Sequence, residues 1–371
     1  MTANLVNAAP FSLSSQADSR SDGLVCDLSL GEPRRQNFPA EICKSLLDLA
    51  AINHYYPAYG LPALRQNIQN RFYPQLNPAD YMVFMTHGAI HGIDLLLRSA
   101  LKPGEEILLP DPGFPPYQRL AELIGVKSRT YNLVHTEHGF AFDIESIAQA
   151  LTPDTRVLVI NSPHNPTGAM LRPEQIQQLG ILLKDFPDLL LISDEVYSEI
   201  VYTEPHQTLA GITPRTYVVN SFSKTFSLQG FRIGWICAPR GHATHLMSYL
   251  QNSVGCVSSL GQEIVLELLG SSDWLPCSYH KARSIACEIL TAAGLSFVAP
   301  EGAFFLLIRV PDDEIATRRL AEDGIKVVPG RAFGTKAQGW IRVCFAQKDD
   351  VVRRDFRRLA HSLKQMKWDG I

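Results

Sequence analysis

The chain predicts an α/β fold, a mostly parallel sheet flanked by helices, joined to a smaller α+β domain. Between Tyr81 and Asn220 short β-rich runs alternate with amphipathic helical stretches, the pattern of a parallel sheet covered on both faces. Beyond about Pro276 the order changes to a long helical stretch, apolar strands and a final helix, the pattern of a sheet with helices on one side. The length, 371 residues, exceeds what one ordinary core holds and suits two domains.

The elements follow in order. M-V-F-M (82–85) leads to a helical run from Ala89 to Leu101, and E-I-L-L-P (106–110) to one from Tyr117 to Ile124. R-V-L-V-I (156–160) precedes the amphipathic Pro173 to Leu183, and L-L-L-I-S (189–193) and Y-V-V-N (217–220) follow as further strands. R-I-G-W-I-C-A-P (232–239) comes too soon after the last of these for a helical crossover, so it is expected to run antiparallel. The second part has a helical pattern from Tyr279 to Ala293, a strand in G-A-F-F-L-L-I-R-V (302–310), a helix near Thr317 to Asp323, a strand in W-I-R-V-C-F (340–345) and a helix from Val351 to Met366. Residues 1–22 are Ser- and Ala-rich without periodicity and are expected to form a loose arm.

Composition excludes several classes of function. With 46% apolar and 19% charged residues the chain reads as globular, and a formal net charge of −3 gives no reason to expect nucleic acid or an acidic membrane as partner. No apolar run approaches the roughly 20 residues that span a bilayer, and the N-terminus lacks the basic and apolar regions of a secretory signal. Seven cysteines (26, 43, 237, 256, 277, 287 and 344) are scattered and odd in number, as reduced thiols in a cytoplasm would be. Eleven histidines show no H-E-x-x-H motif, and no metal is expected.

The most informative stretch is S-F-S-K-T-F-S-L-Q-G-F-R-I-G-W, Ser221 to Trp235. It sets Lys224 just after a β-like run and eight residues before Arg232. Hydroxyls, a glycine and an arginine around one lysine suggest an amine placed to condense with an aldehyde beside an anion site. Upstream lie N-S-P-H-N-P-T-G (161–168) and S-D-E-V-Y (193–197). Each segment follows a predicted strand, where ligands gather in sheets of this kind.

In that order the three segments resemble the fold-type I aminotransferases, the class I/II, aspartate aminotransferase-like family, over about Leu28 to Ala346. The resemblance implies pyridoxal phosphate held as a Schiff base on Lys224, and a large domain with a mostly parallel seven-stranded sheet over residues 46–276. The small domain would be discontinuous, residues 23–45 plus 277–371. Asp194 would pair with the pyridine nitrogen, with Tyr197 and Asn165 donating to the phenolate oxygen. Phe114 of D-P-G-F-P-P-Y would stack on the ring. Arg232, Ser221, Ser223 and the amides of Gly88, Ala89 and Ile90, at a strand-to-helix turn, would cradle the phosphate. Tyr55 would reach the phosphate of a second subunit in a homodimer with shared sites; the adjacent Tyr56 leaves that register open by one residue, and Tyr59 is a candidate for the substrate pocket.

On the substrate side, Arg342 lies in an otherwise apolar strand, where an arginine is costly to bury unless it binds an anion. The resemblance makes it the clamp for the substrate α-carboxylate, with the backbone of Gly31 and with Asn161 and Asn165 beside it. Arg34 or Arg35 is a candidate for an acidic substrate side chain, against the alternative of a solvated surface, and His87 and His164 sit beside cofactor motifs. The activity implied is transfer of an α-amino group between an L-amino acid and a 2-oxo acid, in amino-acid metabolism or biosynthesis. A lyase, decarboxylase or amino-acid cyclase of the same fold stays open, and a cofactor-binding sensor domain is more remote.

Overall fold

The computed structural model describes residues 26–34, 52–271, 276–366 and 368. The arm expected over 1–22, residues 23–25 and 35–45 of the expected small domain, and Arg35 lie outside the described residues. In chain order the elements are β1 (Cys26–Asp27), α1 (Pro62–Phe72), β2 (Tyr81–Thr86), α2 (Gly88–Ala100), β3 (Glu106–Asp111), α3 (Pro115–Ile124), β4 (Lys127–Thr136), β5 (Gly139–Phe142) and α4 (Ile144–Ala150). There follow β6 (Thr155–Asn161), α5 (Pro173–Leu182), β7 (Leu190–Asp194), β8 (Thr216–Ser221), β9 (Gly234–Pro239), α6 (Ala243–Ser253) and α7 (Ser259–Gly270). The last part comprises α8 (His280–Ala292), β10 (Phe297–Val298), β11 (Phe305–Arg309), α9 (Asp313–Glu322), β12 (Ile325–Lys326), β13 (Val328–Pro329), β14 (Trp340–Cys344) and α10 (Asp349–Gln365).

Eight strands form one sheet in the order β2-β9-β8-β7-β6-β3-β4-β5. β8, β7, β6, β3 and β4 pair in parallel. β9 runs antiparallel to both β8 and β2, as its closeness to β8 in sequence requires. Six of these strands are runs legible in the sequence, and β4, which is not, makes up the seven that the resemblance implies; the eighth, β5, is a four-residue hairpin return on β4. The central strands β7 and β8 are buried along their whole length, and β6 is too except at Arg156, because helices cover both faces. On one face α2 packs against β8 and β9, and Gly92 permits it: a Cβ there would sit 3.1 Å from Ile236 and 3.3 Å from Val219.

A second, antiparallel sheet has the order β10-β11-β14-β13. Its core, including Phe304, Phe305 and Phe345, is closed by α8, α9 and α10, and it also takes in Val196, Tyr197 and Ile200 from the turns after β7. α9 starts at Asp313, earlier than the helical pattern near Thr317 suggests, because the Asp312 carboxylate caps it by accepting the Ile315 amide at 2.8 Å. Thr86, Asp111, Asn161, Asp194 and Ser221 end β2, β3, β6, β7 and β8 at one edge of the large sheet, the edge that meets the second core.

Candidate active site

At that edge lies a cavity of about 490 Å³, lined by Gly31, Ala89, Ile90, Phe114, Tyr117, Asn161, Asn165, Asp194, Tyr197, Ser221, Ser223, Lys224, Arg232 and Arg342 among others. Of the residues that the resemblance assigns to the cofactor and the substrate carboxylate, all line it except Gly88, which stands directly behind Arg232, and Tyr55. Lys224 follows β8 and reaches in, its Nζ donating to the Gly31 carbonyl at 2.6 Å. Burial brings its pKa down to about 8, with Arg342 and Arg232 adding to the effect. The amine is therefore poised between its charged and nucleophilic forms.

Asp194 ends β7 with 3% of its surface exposed. Burial raises its pKa to about 6, opposed by a hydrogen bond from Tyr117, by the Val196 amide and by Lys224. No helix follows it; residues 196–199 form turns. Tyr117 donates to Oδ2 at 2.6 Å. Sequence reasoning missed this residue. D-P-G-F-P-P-Y puts it at the start of a helix whose apolar face reads as core, and the carboxylate it meets lies 77 residues further on. Asn161 is spent on the framework: its Nδ2 donates to the Asp194 carbonyl at 3.0 Å and its Oδ1 accepts the Asn165 amide at 2.8 Å. Tyr197 is held edge-on by Phe304 and Phe305, with ring centroids 5.3 and 5.8 Å away.

A cradle closes one end. Gly88, with φ 75°, opens α2, whose first turn carries no acidic side chain. A Cβ on Gly88 would lie 2.6 Å from Arg232 Nη2, and one on Gly234 would lie 2.6 Å from the Gly88 carbonyl carbon and 2.8 Å from the Ala89 nitrogen. Arg232 is itself left-handed at φ 59° and donates to the carbonyls of Gln229 (3.0 Å) and His87 (3.4 Å). Helix amides, a guanidinium and the nearby Ser221 and Ser223 hydroxyls make a donor set suited to a phosphate. With an amine, a buried carboxylate and an aromatic ring alongside, the residues fit pyridoxal phosphate.

At the other end Arg342 lies on β14, between β11 and β13, opposite Leu307 and Val328. It is 3% exposed, so it is not a solvated edge residue. The rings of Phe305 and Phe333 sit 4.4 and 4.8 Å from its guanidinium carbon, Nη1 donates to Asn165 Oδ1 at 3.0 Å and Nη2 to the Ser29 carbonyl at 2.6 Å. Nε is buried without a partner. Burial lowers its pKa to about 10, and among the described residues no carboxylate forms an ion pair with it.

The remaining candidates lie elsewhere. Tyr55 is 89% exposed and lines a separate cavity with His54, Cys256, Ser258 and Leu260, whereas Tyr56 donates to Glu263. Tyr59 lies under the guanidinium of Arg65, 4.5 Å from its carbon, rather than in the cavity. Arg34 reaches Asp27 at 3.4 Å and opens on a neighbouring cavity with Glu32, Gln229 and Lys348. His164 is fully buried against Thr167, and His87 packs on His91.

Residues 25–359 match the family model described as aminotransferase class I and II. A probable N-acetyl-LL-diaminopimelate aminotransferase of Bacillus subtilis is 33% identical over 350 residues, covering 90% of this chain and 88% of the relative. An aspartate/prephenate aminotransferase of Thermus thermophilus is 32% identical over 83% of each chain. Among solved structures, an aspartate aminotransferase double mutant of Thermus thermophilus superposes with a TM-score of 0.82 at 30% identity, covering 91% of this chain and 92% of that one. An aromatic aminotransferase of Pyrococcus horikoshii does so with 0.83 at 29% identity, covering 92% and 96%. The chain belongs to the class I and II aminotransferases and is a pyridoxal phosphate-dependent enzyme of fold type I.

Proposed function

We propose that this aminotransferase moves the α-amino group between an L-amino acid and a 2-oxo acid, with Lys224 carrying the proton and Arg342 holding the substrate carboxylate. The observation that carries this reading is the pair of buried cations facing one cavity, an amine of pKa about 8 and a guanidinium whose Nε has no partner. When bound, pyridoxal phosphate supplies an aldehyde for the amine and an electron-poor ring that accepts the electrons of the bond broken at Cα.

The chain's own residues do the rest. Arg232, Ser221, Ser223 and the amides of Gly88, Ala89 and Ile90 hold the phosphate, and Phe114 covers a ring face. Asp194 holds a proton on the ring nitrogen, and Tyr197 and Asn165 donate to the phenolate oxygen. Arg342 fixes the α-carboxylate, with Gly31 leaving room for it. Lys224, about a tenth neutral at pH 7 with its pKa at about 8, would take the proton from substrate Cα as general base and deliver it as general acid to the carbon that was the cofactor's aldehyde, not back to Cα.

The cavity also bears on the donor. Leu30, Ile93, Pro116, Val327, Val328 and Ala332 give its remaining wall an apolar character. Lys224, Arg232 and Arg342, the cations lining it among the described residues, each have a role already. A donor with an uncharged side chain fits this wall better than aspartate or glutamate. The separate sheets support a division into residues 46–276 and 23–45 plus 277–371, and the exposed Tyr55 beside the half-exposed Leu260 supports a homodimer in which Tyr55 reaches the partner's phosphate. The six described cysteines form no disulfide, which fits the cytoplasm.

The test is a half-reaction. One L-amino acid, without acceptor, should convert the enzyme stoichiometrically to its amine form, and a 2-oxo acid should restore it. Steady release of ammonia and pyruvate with no amine form would overturn the reading.

A further inference from the structure

We propose that Tyr117 is a positioning residue that holds Asp194 ionised and aimed at the cofactor's ring nitrogen. This deepens the reading above and rests on Asp194 being the partner of that nitrogen. Tyr117 is 1% and Asp194 3% exposed, and both line the cavity. The phenol donates to Oδ2 at 2.6 Å, and the Val196 amide donates to Oδ1 at 3.3 Å. Each carboxylate oxygen thus has one donor, which fixes the plane of the group.

The donor is itself fixed. Tyr117 stands in the first turn of α3, behind prolines at its first two positions, where their restricted φ suits a helix start. Phe114 caps the same helix and meets Tyr117 edge-on, with centroids 5.5 Å apart and planes at 83°. The ring assigned to stacking and the phenol that steers the carboxylate are therefore one rigid unit. Burial, with the charge of Asp194 beside it, keeps the phenol's pKa well above the ordinary value, so the proton stays on the tyrosine.

The charges around Asp194 leave Tyr117 a distinct part. From the turns after β7 come Glu195 and Tyr197, from the segment after β8 comes Lys224, and from α3 comes Tyr117. Glu195 is turned away: its Oε1 accepts from Ser193 Oγ, Thr208 Oγ1 and the Leu209 amide, and its Oε2 faces His206 at 3.1 Å. A hydrogen bond donated to the ionised form lowers a carboxylate's pKa. Loss of the phenol removes that donor from a buried carboxylate, so Asp194 would take up a proton at a higher pH than before.

The test is titration of the full-length protein, stripped of cofactor, with pyridoxal phosphate from pH 5.5 to 8.5, followed by the cofactor's absorbance. Tyr117→Phe keeps the ring that packs on Phe114. Its affinity should fall about tenfold at pH 6 and stay within about threefold of wild type at pH 8.5, which moves the acid limb up by about one pH unit. In an Asp194→Asn background, Tyr117→Phe should add no pH-dependent loss. A pH-independent loss in Tyr117→Phe, or a wild-type profile, would overturn the proposal. Should the phenylalanine variant fail to fold, a fluorotyrosine introduced at position 117, a stronger donor of the same shape, should move the acid limb to lower pH; an unmoved limb overturns the proposal as well. Failure of the wild-type protein to bind pyridoxal phosphate at any pH would instead sink the cofactor reading itself.

Discussion

Lys224 and Arg342 face one cavity with their pKa values held down to about 8 and about 10 by burial, and each is a cost to the empty fold. For Lys224 the sign is definite. A lysine whose folded pKa lies below its unfolded value of 10.5 destabilises the fold fully below pH 8, and the penalty fades as pH rises from about 8 towards 10.5. Cofactor-free Lys224→Met should therefore melt higher than wild type by roughly 3–6 °C at pH 7, and the gap should shrink by pH 10; calorimetry at the two pH values measures it. Arg342→Lys should lower the ratio of half-reaction rate constant to substrate dissociation constant about 10- to 100-fold for every amino acid donor. An ammonium cannot reproduce a planar fork already bonded to Asn165 and Ser29. Single-turnover absorbance reads the effect, and a loss confined to one donor would contradict a carboxylate role.

At the scale of elements, the join of β2, α2 and β9 is the tightest place in the site. Gly234 opens β9 with its Cα against the backbone of Gly88 and Ala89, where an added methyl carbon would come within 2.8 Å of three backbone atoms. Backbone cannot step aside as a flexible side chain can, so the start of α2 must shift. Gly234→Ala is expected to weaken pyridoxal phosphate binding by about tenfold or more, since helix-terminal amides lose their aim at an anion within fractions of an ångström. Equilibrium titration with the cofactor tests this, and unchanged affinity would remove the cradle from the phosphate site.

For the whole molecule, the prediction concerns assembly. A tyrosine 89% exposed is unusual, and Tyr55 lies beside a broad cavity with Leu260. If Tyr55 completes the phosphate site of a second copy, the enzyme is a C2 dimer with two shared sites. Tyr55→Phe and Lys224→Ala subunits, each weakly active alone, should regain activity on mixing, because each heterodimer rebuilds one site with both native residues. Sedimentation showing a fully active monomer at assay concentration would contradict this.

The sequence by itself settled what local chemistry and periodicity can settle. Apolar runs such as R-V-L-V-I and L-L-L-I-S announced buried parallel strands because both faces of each are covered, and the close spacing of Ser221 to Trp235 fixed the antiparallel turn of β9. Lys224, Asp194 and Arg342 stood out because their charges follow or interrupt apolar runs. β4 escaped because K-S-R-T-Y-N-L-V-H-T exposes polar residues along one side and carries no apolar run, and β5 depends on β4 for its pairing. Tyr117 escaped for another reason: a tyrosine at a helix start looks the same whether its hydroxyl meets the core or a carboxylate. Which oxygen that hydroxyl reaches, which of Tyr55 and Tyr56 faces outward, and that Arg342 sits mid-sheet between two aromatic rings were decided only when distant segments packed together, since each depends on contacts between residues remote in the chain.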